Sequence, residues 1–524
     1  MRRDCPRFSS VMVHMRGKSR LPGPTAGAIL PAGRGGDMRR EGVDMGGIDT
    51  KRLRQIVGEE GVRDAPADLL VYGSDASVHQ ARPQAVVRPT TVEQVQQLLE
   101  YCHQQRIPLV ARGSGSGMCG QTVPLRGGIV LDMKGMNRIL EINLRDGICR
   151  VEPGVVDDDL NRELKPHGFF YPPTPASARI ATIGGEIANN ASGTRSVKYG
   201  AARDSVLGLK VVLPGGRLLE LGGRTRVASS GYPLERLFVG SEGTLGVIVE
   251  ATLRYVPIPR FRCLGIAKFD KLEQAGDAVS AIMAAGCQPS MLELIDHVAI
   301  TAVNRAQNLG LPDVEAILLF EADGMVREAV DYEIERLTHY SQEAGGFGIE
   351  SSYEAKERER IFAGRKKLFP SLSNFADALA STALADDMAV PYSRMAETAR
   401  KIHQVAERHG LIMTAYGHCG AGCMHTKILM DTSKGEQWRA ARQAVAEIYQ
   451  WVRQVGGTTS AEHGIGISKA AAFKEEKAPL LELMRAVKAV FDPQGIMNPG
   501  KLMDAPDDWL HASPLRYDVD NGEV

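Results

Sequence analysis

The chain has 524 residues, of which 43% are hydrophobic and 24% charged, and its 63 basic side chains are balanced by 63 acidic ones. This length predicts two to four folding units, and the balanced charge argues against nucleic acid as a partner. Glycine is abundant, since 56 of 524 residues is about 11%, against a usual share of about 7%. We therefore expect loops in which the backbone approaches a ligand closely.

The eight cysteines do not have the density of a secreted disulfide framework, and we find no signal peptide. No run of 18 apolar residues is present, so we expect no transmembrane segment. These features predict reduced thiols and a cytoplasmic location, with peripheral contact to a membrane as an option. In a eukaryote, a mitochondrial location is the alternative.

Residues 1–47 differ in composition from the rest of the chain. Residues 1–40 hold nine basic side chains and only two acids, Asp4 and Asp37. This basic stretch has no apolar core, so we predict a disordered leader rather than a targeting segment. Changes in composition and pattern then divide the chain into a glycine-rich domain at 48–258, a more helical domain at 259–455, a turn-rich C-terminal segment at 456–505 and a tail at 506–524.

The first folded domain begins with a predicted helix and a short strand. Thr90 to Glu93 predicts a capping box, and apolar residues keep helical spacing as far as Cys102. A strand over Ile107 to Val110 leads into the glycine-rich loop Arg112 to Gly120. Another strand, Gly127 to Asp132, follows in place of the helix that a Rossmann fingerprint requires, which disfavours a dinucleotide-binding βαβ unit. The loop could still bind a pyrophosphate through consecutive backbone N–H groups, and an ordinary tight loop is the alternative.

Two further glycine clusters follow in the same domain. Ala181 to Gly193 is predicted to be a loop that enters a helix, and Gly240 to Gly246 leads to a strand over Val247 to Val249. Three such loops, separated by strand-rich sequence, indicate one extended ligand. A P-loop nucleotidase is not indicated, because the chain has no G-x-x-x-x-G-K-[ST] motif.

From about Phe261 the pattern becomes more helical. A helix is predicted over Arg394 to His409, where Gly410 provides a stop, and another over Glu436 to Gln454. Asp386-Asp387 could form a carboxylate dyad, but we interpret the pair as a loop or strand edge.

Two histidines, His418 and His425, bracket a glycine-rich turn late in the chain, and an adjacent pair, Glu462-His463, follows. Two imidazoles and a carboxylate can converge on one divalent metal and leave positions open for other ligands. Taken alone, the two histidines would also fit structural roles, and Cys419 with Cys423 could form a C-x3-C zinc corner. A metal-dependent hydrolase is the simplest function for such a site.

Over residues 70 to 503 the sequence resembles the flavin oxidoreductases of the vanillyl-alcohol oxidase type. Within these it is most similar to the FAD-linked D-2-hydroxyacid dehydrogenases, which include flavin D-lactate dehydrogenases and the glycolate oxidase D subunit. The resemblance is carried by Gly127 to Pro153, Thr182 to Gly193 and Leu237 to Leu253, and by the motifs at Gly417 to His425 and Ser460 to Gly466. It implies an α+β protein with a two-subdomain FAD-binding fold of the vanillyl-alcohol oxidase (PCMH) type. An α+β substrate (cap) domain with an antiparallel sheet would follow, and residues 456–505 would return to the FAD domain.

The resemblance implies FAD as the cofactor. The binding is expected to be noncovalent, because Ser116 stands where a histidine attaches the flavin in some relatives. The expected contacts are a pyrophosphate loop, a group along the ribityl and isoalloxazine side, and a group near the adenine half. The residues are Gly113, Ser114, Gly115, Ser116 and Gly117 in the first group, Gly184, Gly185, Asn189 and Gly193 in the second, and Glu242, Gly246 and Val247 in the third, with Asn498 as a further contact.

The resemblance also assigns roles to the late residues. His418, His425 and Glu462 are implied as ligands of one divalent metal, with zinc favoured and manganese or iron as alternatives. His463 is implied as the base. Arg365 is implied as the residue that holds the substrate carboxylate, a task suited to a planar bidentate donor.

The function expected from the resemblance is oxidation of a small D-2-hydroxyacid, D-lactate or glycolate, to the 2-oxoacid. Hydride would pass to flavin N5 with assistance from the metal. Electrons would leave for a protein or quinone acceptor, for example an iron–sulfur subunit, because the chain has no C-x2-C-x2-C run of its own. A homodimer is compatible with this function. The alternatives are a flavin transferase like alkyl-glycerone-phosphate synthase and an electron-relay subunit of a larger oxidase complex.

Overall fold

The computed structural model describes residues 48–376, 379–384 and 386–511. The predicted leader, 1–47, and most of the predicted tail, 512–524, lie outside the described residues. Of the predicted tail, 506–524, residues 506–511 are described, and Trp509 and Leu510 among them are buried. Within the described ranges, every helix is too short or too polar to cross a membrane.

The first half of the described chain contains a four-stranded sheet with a parallel centre. Its strands lie in the order Val62–Arg63, Ala85–Val87, Ile129–Asp132 and Leu109–Arg112. Ile129–Asp132 is parallel to both of its neighbours. Helix Val92–Gln105 connects two of the strands and buries its apolar face against this sheet, as its helical spacing predicts. The helix cap lies one residue later than the predicted capping box, because Thr91 accepts the main-chain N–H of Gln94, and Gln94 in turn accepts the main-chain N–H of Thr90.

A second sheet of five antiparallel strands follows. Its strands lie in the order Ile139–Asn143, Ile148–Val151, Val247–Arg254, Val206–Val212 and Leu218–Gly222. The central strand is buried on both faces from Val247 to Leu253. The helices of this half are Thr50–Val57, Pro66–Val71, Val92–Gln105, Asp157–Leu164, Ile183–Asn189, Ser196–Tyr199, Ala202–Ser205 and Glu235–Phe238. Helix Ile183–Asn189 lies where the second glycine cluster predicts a helix.

The second half contains a four-stranded antiparallel sheet, which we call the cap sheet. Its strands lie in the order Met291–Asp296, Ala316–Gly324, Phe261–Phe269 and Phe347–Ser352. Helices Leu272–Ala284, His297–Gln307, Arg327–Glu343 and Ala355–Leu372 alternate with these strands or follow them in the chain. The edge strand Met291–Asp296 is buried at every position although it contains Glu293 and Asp296. These buried acids must find partners.

Short strands and four helices complete the described chain. The remaining strand pairings are Val256–Pro257 with Phe169–Phe170, Met388–Ala389 with Cys423–Met424, and Ala380–Thr382 with Ile428–Met430, which also pairs with Ile412–Met413. The remaining helices are Met395–Arg408, Gly435–Gln454, Ala470–Glu476 and Leu481–Phe491. The first two agree within one residue with the helices that the sequence predicts. After the last helix the chain returns to the first sheet, where Met497 forms a parallel bridge with Leu109.

Candidate active site

In the described part of the chain, one cavity is lined by all three glycine loops. It encloses about 1350 Å³ of empty space, counting its opening to solvent, and its walls come from the stretches 111–118, 181–192 and 241–248. Glu462 and His463 also line it. The glycine loops and the late Glu-His pair therefore face the same space.

At two positions of the first loop, the surrounding atoms leave no room for a side chain, so glycine is needed there. A Cβ on Gly113 would lie 2.1 Å from Oγ1 of Thr182. A Cβ on Gly115 would lie 2.1 Å from the guanidinium of Arg112, at a φ of +71° that also disfavours a side chain. Thr182 lines the cavity, and its buried Oγ1 has no hydrogen-bond partner among the described residues. A closely approaching backbone and an unpaired buried hydroxyl fit a polar ligand such as FAD in this cavity.

Most of the residues expected to bind FAD line this cavity. They are Gly113, Ser114, Gly115, Ser116, Gly117, Gly184, Gly185, Asn189, Glu242, Gly246 and Val247. Gly193 and Asn498 are not among its lining residues. Instead, Asn498 donates hydrogen bonds to the main-chain oxygens of Gln121 and Glu242, at 2.9 and 2.7 Å, and so supports two of the walls.

His418 and His425 are brought together by a closed turn. Tyr416 and His425 exchange main-chain hydrogen bonds of 3.1 and 2.6 Å at its base. Within the turn, the main-chain oxygen of His418 accepts from Ala421 and Cys423. Gly422 allows the turn to close, because its φ is +76° and a Cβ there would lie 2.9 Å from a main-chain oxygen of Val390. The two imidazole centroids are consequently 5.0 Å apart.

Both imidazoles direct Nε2 toward Glu462. Nε2 of His418 and Nε2 of His425 each lie 3.3 Å from Oε1 of this glutamate. Their Nδ1 atoms are held from behind, in His418 by a carboxylate oxygen of Glu293 at 2.5 Å and in His425 by the main-chain oxygen of Asp386 at 2.9 Å. Such support behind an imidazole is typical of metal-ligating histidines.

The donor set fits a divalent cation. Atoms bound to zinc at about 2.0–2.1 Å in a tetrahedron are separated by roughly 3.3–3.4 Å, which matches the two distances to Glu462. Ser192 donates to the other carboxylate oxygen of Glu462 at 2.6 Å, which leaves Oε1 for the cation. Burial alone would raise the pKa of Glu462, but His418 and the other two histidines outweigh it and hold this pKa well below its ordinary value. Burial lowers the pKa of His425 to about 4, so this imidazole is neutral, as a ligand must be. Burial alone would also lower the pKa of His418, but Glu293 and Glu462 outweigh it and raise this pKa to about 9, so His418 would have to release a proton to bind a cation.

The cysteines of the turn do not form the alternative zinc corner. Cys419 donates its thiol hydrogen to the main-chain oxygen of Leu292 at 3.2 Å, whereas Cys423 lies 3.9 Å from Nε2 of His425. Within the described residues, neither thiol belongs to a group of three donors close enough to share an ion.

His463 is the histidine most accessible from the cavity. Its side chain is 21% exposed, compared with 7% for His418 and 5% for His425. Its ring stacks on that of His425, and its Nε2 lies 3.4 Å from Oε1 of Glu462. Burial alone would lower the pKa of His463, but the carboxylates of Asp386 and Glu462 outweigh it and raise this pKa to about 10. A base must be neutral before it accepts a proton, and a divalent cation bound to Glu462 would counteract the part of the rise that comes from this carboxylate, which is smaller than the part from Asp386.

Arg365 lies beside this group and is anchored at one nitrogen. Its Nε donates to Glu293 at 2.6 Å, on the carboxylate oxygen that His418 does not use. Its guanidinium carbon lies 5.5 Å from the ring centre of Tyr416. The two terminal nitrogens make no hydrogen bond to any described residue, so they remain able to bind an anionic ligand.

Two stretches of the chain match protein families. Residues 83–222 match the family described as FAD binding domain, and residues 258–502 match FAD linked oxidases, C-terminal domain. Glycolate oxidase subunit GlcD of Bacillus subtilis (strain 168) is 36% identical over 455 residues, which cover 86% of this chain and 96% of that protein. The chain belongs to the FAD-linked oxidase family. D-lactate dehydrogenase of Anaerostipes hadrus is 31% identical over 461 residues, which cover 86% of this chain and 94% of that protein.

Membership of this family confirms that the protein is an FAD-linked oxidoreductase. The predicted fold is confirmed as well. The crystal structure of p-cresol methylhydroxylase with substrate bound superposes with a TM-score of 0.70 at 20% identity, over 86% of this chain and 95% of that chain. The FAD-linked oxidase therefore has the vanillyl-alcohol oxidase type of fold and the α+β class that its sequence predicts.

Sequence reasoning missed the role of Asp386 and Asp387 in this FAD-linked oxidase. The pair does lie at a strand edge, directly before Met388–Ala389, but both side chains are fully buried in the site. Oδ2 of Asp387 accepts the main-chain N–H groups of Ala461, Glu462 and His463, at 2.7, 2.5 and 3.0 Å. This carboxylate therefore fixes the backbone that carries the Glu-His pair.

A second group of donors consists of Asp386, Asp387 and His463. Its carboxylates are already neutralised, because Lys469 forms an ion pair with Asp387 and Lys427 lies 2.9 Å from Oδ2 of Asp386. A metal ion at this position would face two buried ammonium groups. This cluster is therefore better suited to holding His463 than to binding an ion.

Glu293 was also missed, although its sequence carries a signal. It is an acid within the apolar strand Met291–Asp296, and a buried carboxylate requires a partner. Burial alone would raise its pKa, but His418 and Arg365 outweigh it and lower the pKa. Glu293 thus connects His418 with Arg365 through its two carboxylate oxygens.

Proposed function

We propose that this FAD-linked oxidase oxidises a small D-2-hydroxyacid, D-lactate or glycolate, to the 2-oxoacid. FAD would be held noncovalently, a divalent metal would be bound by His418, His425 and Glu462, and electrons would pass to a protein or quinone acceptor. The observation that carries the proposal is that Glu462 and His463 line the cavity formed by the glycine loops. A proton acceptor and a metal-ligand carboxylate then adjoin the space for the flavin.

The side chains supply the two contacts that a 2-hydroxyacid requires. The unused terminal nitrogens of Arg365 are a bidentate partner for the substrate carboxylate. His463 accepts the hydroxyl proton at Nε2, the ring nitrogen that faces Glu462. A divalent metal, when bound, supplies a Lewis acid that lowers the pKa of the hydroxyl, and FAD, when bound, supplies the two-electron acceptor for the C2 hydrogen.

Noncovalent binding is supported by the composition of the glycine loop. Gly113 to Gly117 holds only glycine and serine, so it offers no histidine, cysteine or tyrosine for attachment to the flavin. Denaturation with trichloroacetic acid tests this point. All yellow colour should be released into the supernatant, and flavin retained in the protein pellet would contradict it.

Two observations support a separate protein or quinone as the electron acceptor. No C-x2-C-x2-C run for an iron–sulfur cluster is present in the sequence. The Bacillus subtilis relative is named as a subunit, which is consistent with delivery of electrons to a partner, for example an iron–sulfur subunit, or to a quinone.

The function is tested by anaerobic flavin reduction. D-lactate, glycolate, D-2-hydroxyglutarate and D-malate are each mixed with the holoenzyme, and L-lactate serves as the enantiomer control. Rapid bleaching of the flavin band by at least one of the D acids or glycolate is expected. If none of them bleaches the flavin of metal-replete enzyme, the proposal is wrong, and a transferase that leaves the flavin oxidised gains support.

A further inference from the structure

Asp386 contacts two histidines of the site in different ways. Oδ2 of its carboxylate lies 2.8 Å from Nδ1 of His463, and its main-chain oxygen accepts from Nδ1 of His425. We propose that Asp386 is a positioning residue that holds the His463 imidazole with Nδ1 engaged and Nε2 facing the substrate. This inference rests on the proposed hydroxyacid oxidation, in which His463 accepts the hydroxyl proton.

Two contacts define the orientation of the His463 ring. Nδ1 faces Asp386, and Nε2 lies 3.4 Å from Oε1 of Glu462 at the cavity. The planes of the His463 and His425 rings are 18° apart, and their centroids are separated by 5.1 Å. Nδ1 and the carboxylate of Asp386 are within contact distance, although the N–H is not aligned with the oxygen. Oδ1 of Asp387 lies farther away, at 3.8 Å, so Asp386 is the nearest carboxylate among the described residues toward which the Nδ1–H group can turn.

The Asp386 carboxylate cannot easily move away. It is fully buried, Lys427 donates to its Oδ2 at 2.9 Å, and Lys469 lies 3.6 Å from its Oδ1. The next residue, Asp387, accepts the main-chain N–H of His463 at 3.0 Å. Asp387 and Asp386, which directly precede the strand Met388–Ala389, thus contact the backbone and the ring of His463, respectively. A carboxylate fixed in this way can select the tautomer and the direction of an imidazole.

The opposing explanation is that Asp386 only neutralises the buried Lys427, since Lys469 pairs most closely with Asp387. Removal of its charge would then disturb the site by leaving the ammonium group of Lys427 uncompensated. Two variants separate these explanations. Asp386→Asn removes the charge, and Asp386→Asn/Lys427→Met removes one charge of each sign, which restores the balance without restoring the contact to His463.

A matched control exists in the cap domain. Asp296 is fully buried, its Oδ2 lies 2.9 Å from Nε2 of His403 and accepts the main-chain N–H of Ala415, and it contacts neither Glu462 nor His463. An asparagine keeps an oxygen that can accept the Ala415 N–H. Asp296→Asn therefore reproduces the loss of a buried Asp–His pair outside the site.

The experiment uses holoenzyme and the acid that reduces the parent flavin fastest. We expect flavin reduction to be slower by about 10- to 100-fold in Asp386→Asn and to stay slow in the double variant. FAD content and zinc content should remain at the parental values, and KM should change by less than about threefold, because neither variant removes a ligand. The control should reduce at close to the parental rate.

A spectroscopic measurement accompanies the kinetics. The chain has 12 histidines, so ring-¹⁵N labelling gives a limited set of signals, and His463→Asn identifies those of His463. The Nδ1 signal of His463 should shift in Asp386→Asn and should shift in the double variant as well. In Asp296→Asn it should stay at the parental position.

Each outcome decides between the explanations. Parental rates in Asp386→Asn, or recovery of the rate in the double variant, would overturn the positioning role. Loss of both FAD and zinc in the single and the double variant would also overturn it, since Asp386 would then be structural. If the parent enzyme is not reduced by any acid, the proposed function itself fails, whereas an unchanged variant beside an active parent refutes only the role of Asp386.

Discussion

Glu293 accepts hydrogen bonds from two active-site side chains, one at each carboxylate oxygen. His418 occupies one oxygen at 2.5 Å and Arg365 the other at 2.6 Å. In Glu293→Gln only one oxygen remains, so one of the two donors must face an amide N–H2 group. The lost contact is a charge-assisted hydrogen bond worth about 1.5–3 kcal/mol, and about 1.4 kcal/mol corresponds to a factor of ten in an equilibrium constant. We therefore expect a change of about 10- to 100-fold, in zinc affinity if His418 loses the contact or in KM if Arg365 loses it.

Two assays show which side chain is released. Zinc affinity is measured by competition with a chromophoric chelator after the metal is stripped and restored, and KM for the hydroxyacid is measured by flavin reduction. Release of His418 should weaken zinc binding, whereas release of Arg365 should raise KM. The control is Glu321→Gln, because Glu321 is a buried cap-sheet glutamate that pairs with Arg195 and Arg262 rather than with the site. Parental zinc affinity together with a parental KM in Glu293→Gln would refute the reasoning.

Three further variants test the cavity, the substrate contact and a buried acid pair. Gly113→Ala should give mostly flavin-free protein, measured by the ratio of flavin to protein absorbance, because its Cβ would lie 2.1 Å from Oγ1 of Thr182. Gly223→Ala is the control, because a Cβ there meets no atom within 4 Å. Full flavin content in Gly113→Ala would contradict the fit. Arg365→Lys should raise KM by about tenfold, measured by flavin reduction, because an ammonium cannot bind a carboxylate at two points; an unchanged KM would exclude this contact. Asp157 and Glu186 are buried side by side, and burial raises the pKa of Asp157 to about 7 and also raises the pKa of Glu186. The folded protein therefore retains a proton that the unfolded chain releases above about pH 4. The free energy of unfolding should therefore fall as the pH rises from about 4 to 7. Glu186→Gln should raise the melting temperature relative to the parent at pH 7.5 but not at pH 4. Equal melting curves of the variant and the parent at pH 7.5 would show that the buried acid pair does not destabilise the folded protein.

Local patterns predicted the elements that depend on near neighbours in the chain. The cap of helix Val92–Gln105 was predicted to within one residue, because the hydroxyl of Thr91 lies only three residues from the N–H group from which it accepts a hydrogen bond. The helix Met395–Arg408 could likewise be predicted from its apolar spacing and from Gly410, whose φ is +64°. Information of this kind is contained in a short window of sequence.

The contacts of Glu293 with His418 and of Asp386 with His463 could not be predicted from local patterns. Glu293 is 125 positions from His418, and Asp386 is 77 positions from His463. Contacts at such separations depend on how the cap sheet packs against the late turn, which no local spacing encodes. The pair Asp386-Asp387 also carries a misleading local signal, because two acids before a short strand are typical of an exposed loop.

The adjacency of Glu462 and His463 becomes useful only through the carboxylate of Asp387. Neighbouring side chains on a free loop would point in varying directions, and a ligand beside a base would then have no fixed relation to the flavin cavity. Asp387 binds three consecutive main-chain N–H groups from Ala461 to His463, and Lys469 neutralises its charge in the interior. The orientation of this segment is therefore set before any ligand binds, so less ordering is required when a substrate enters. A motif of two residues can serve as metal ligand and base only because a third residue, 75 positions from Glu462, holds their backbone.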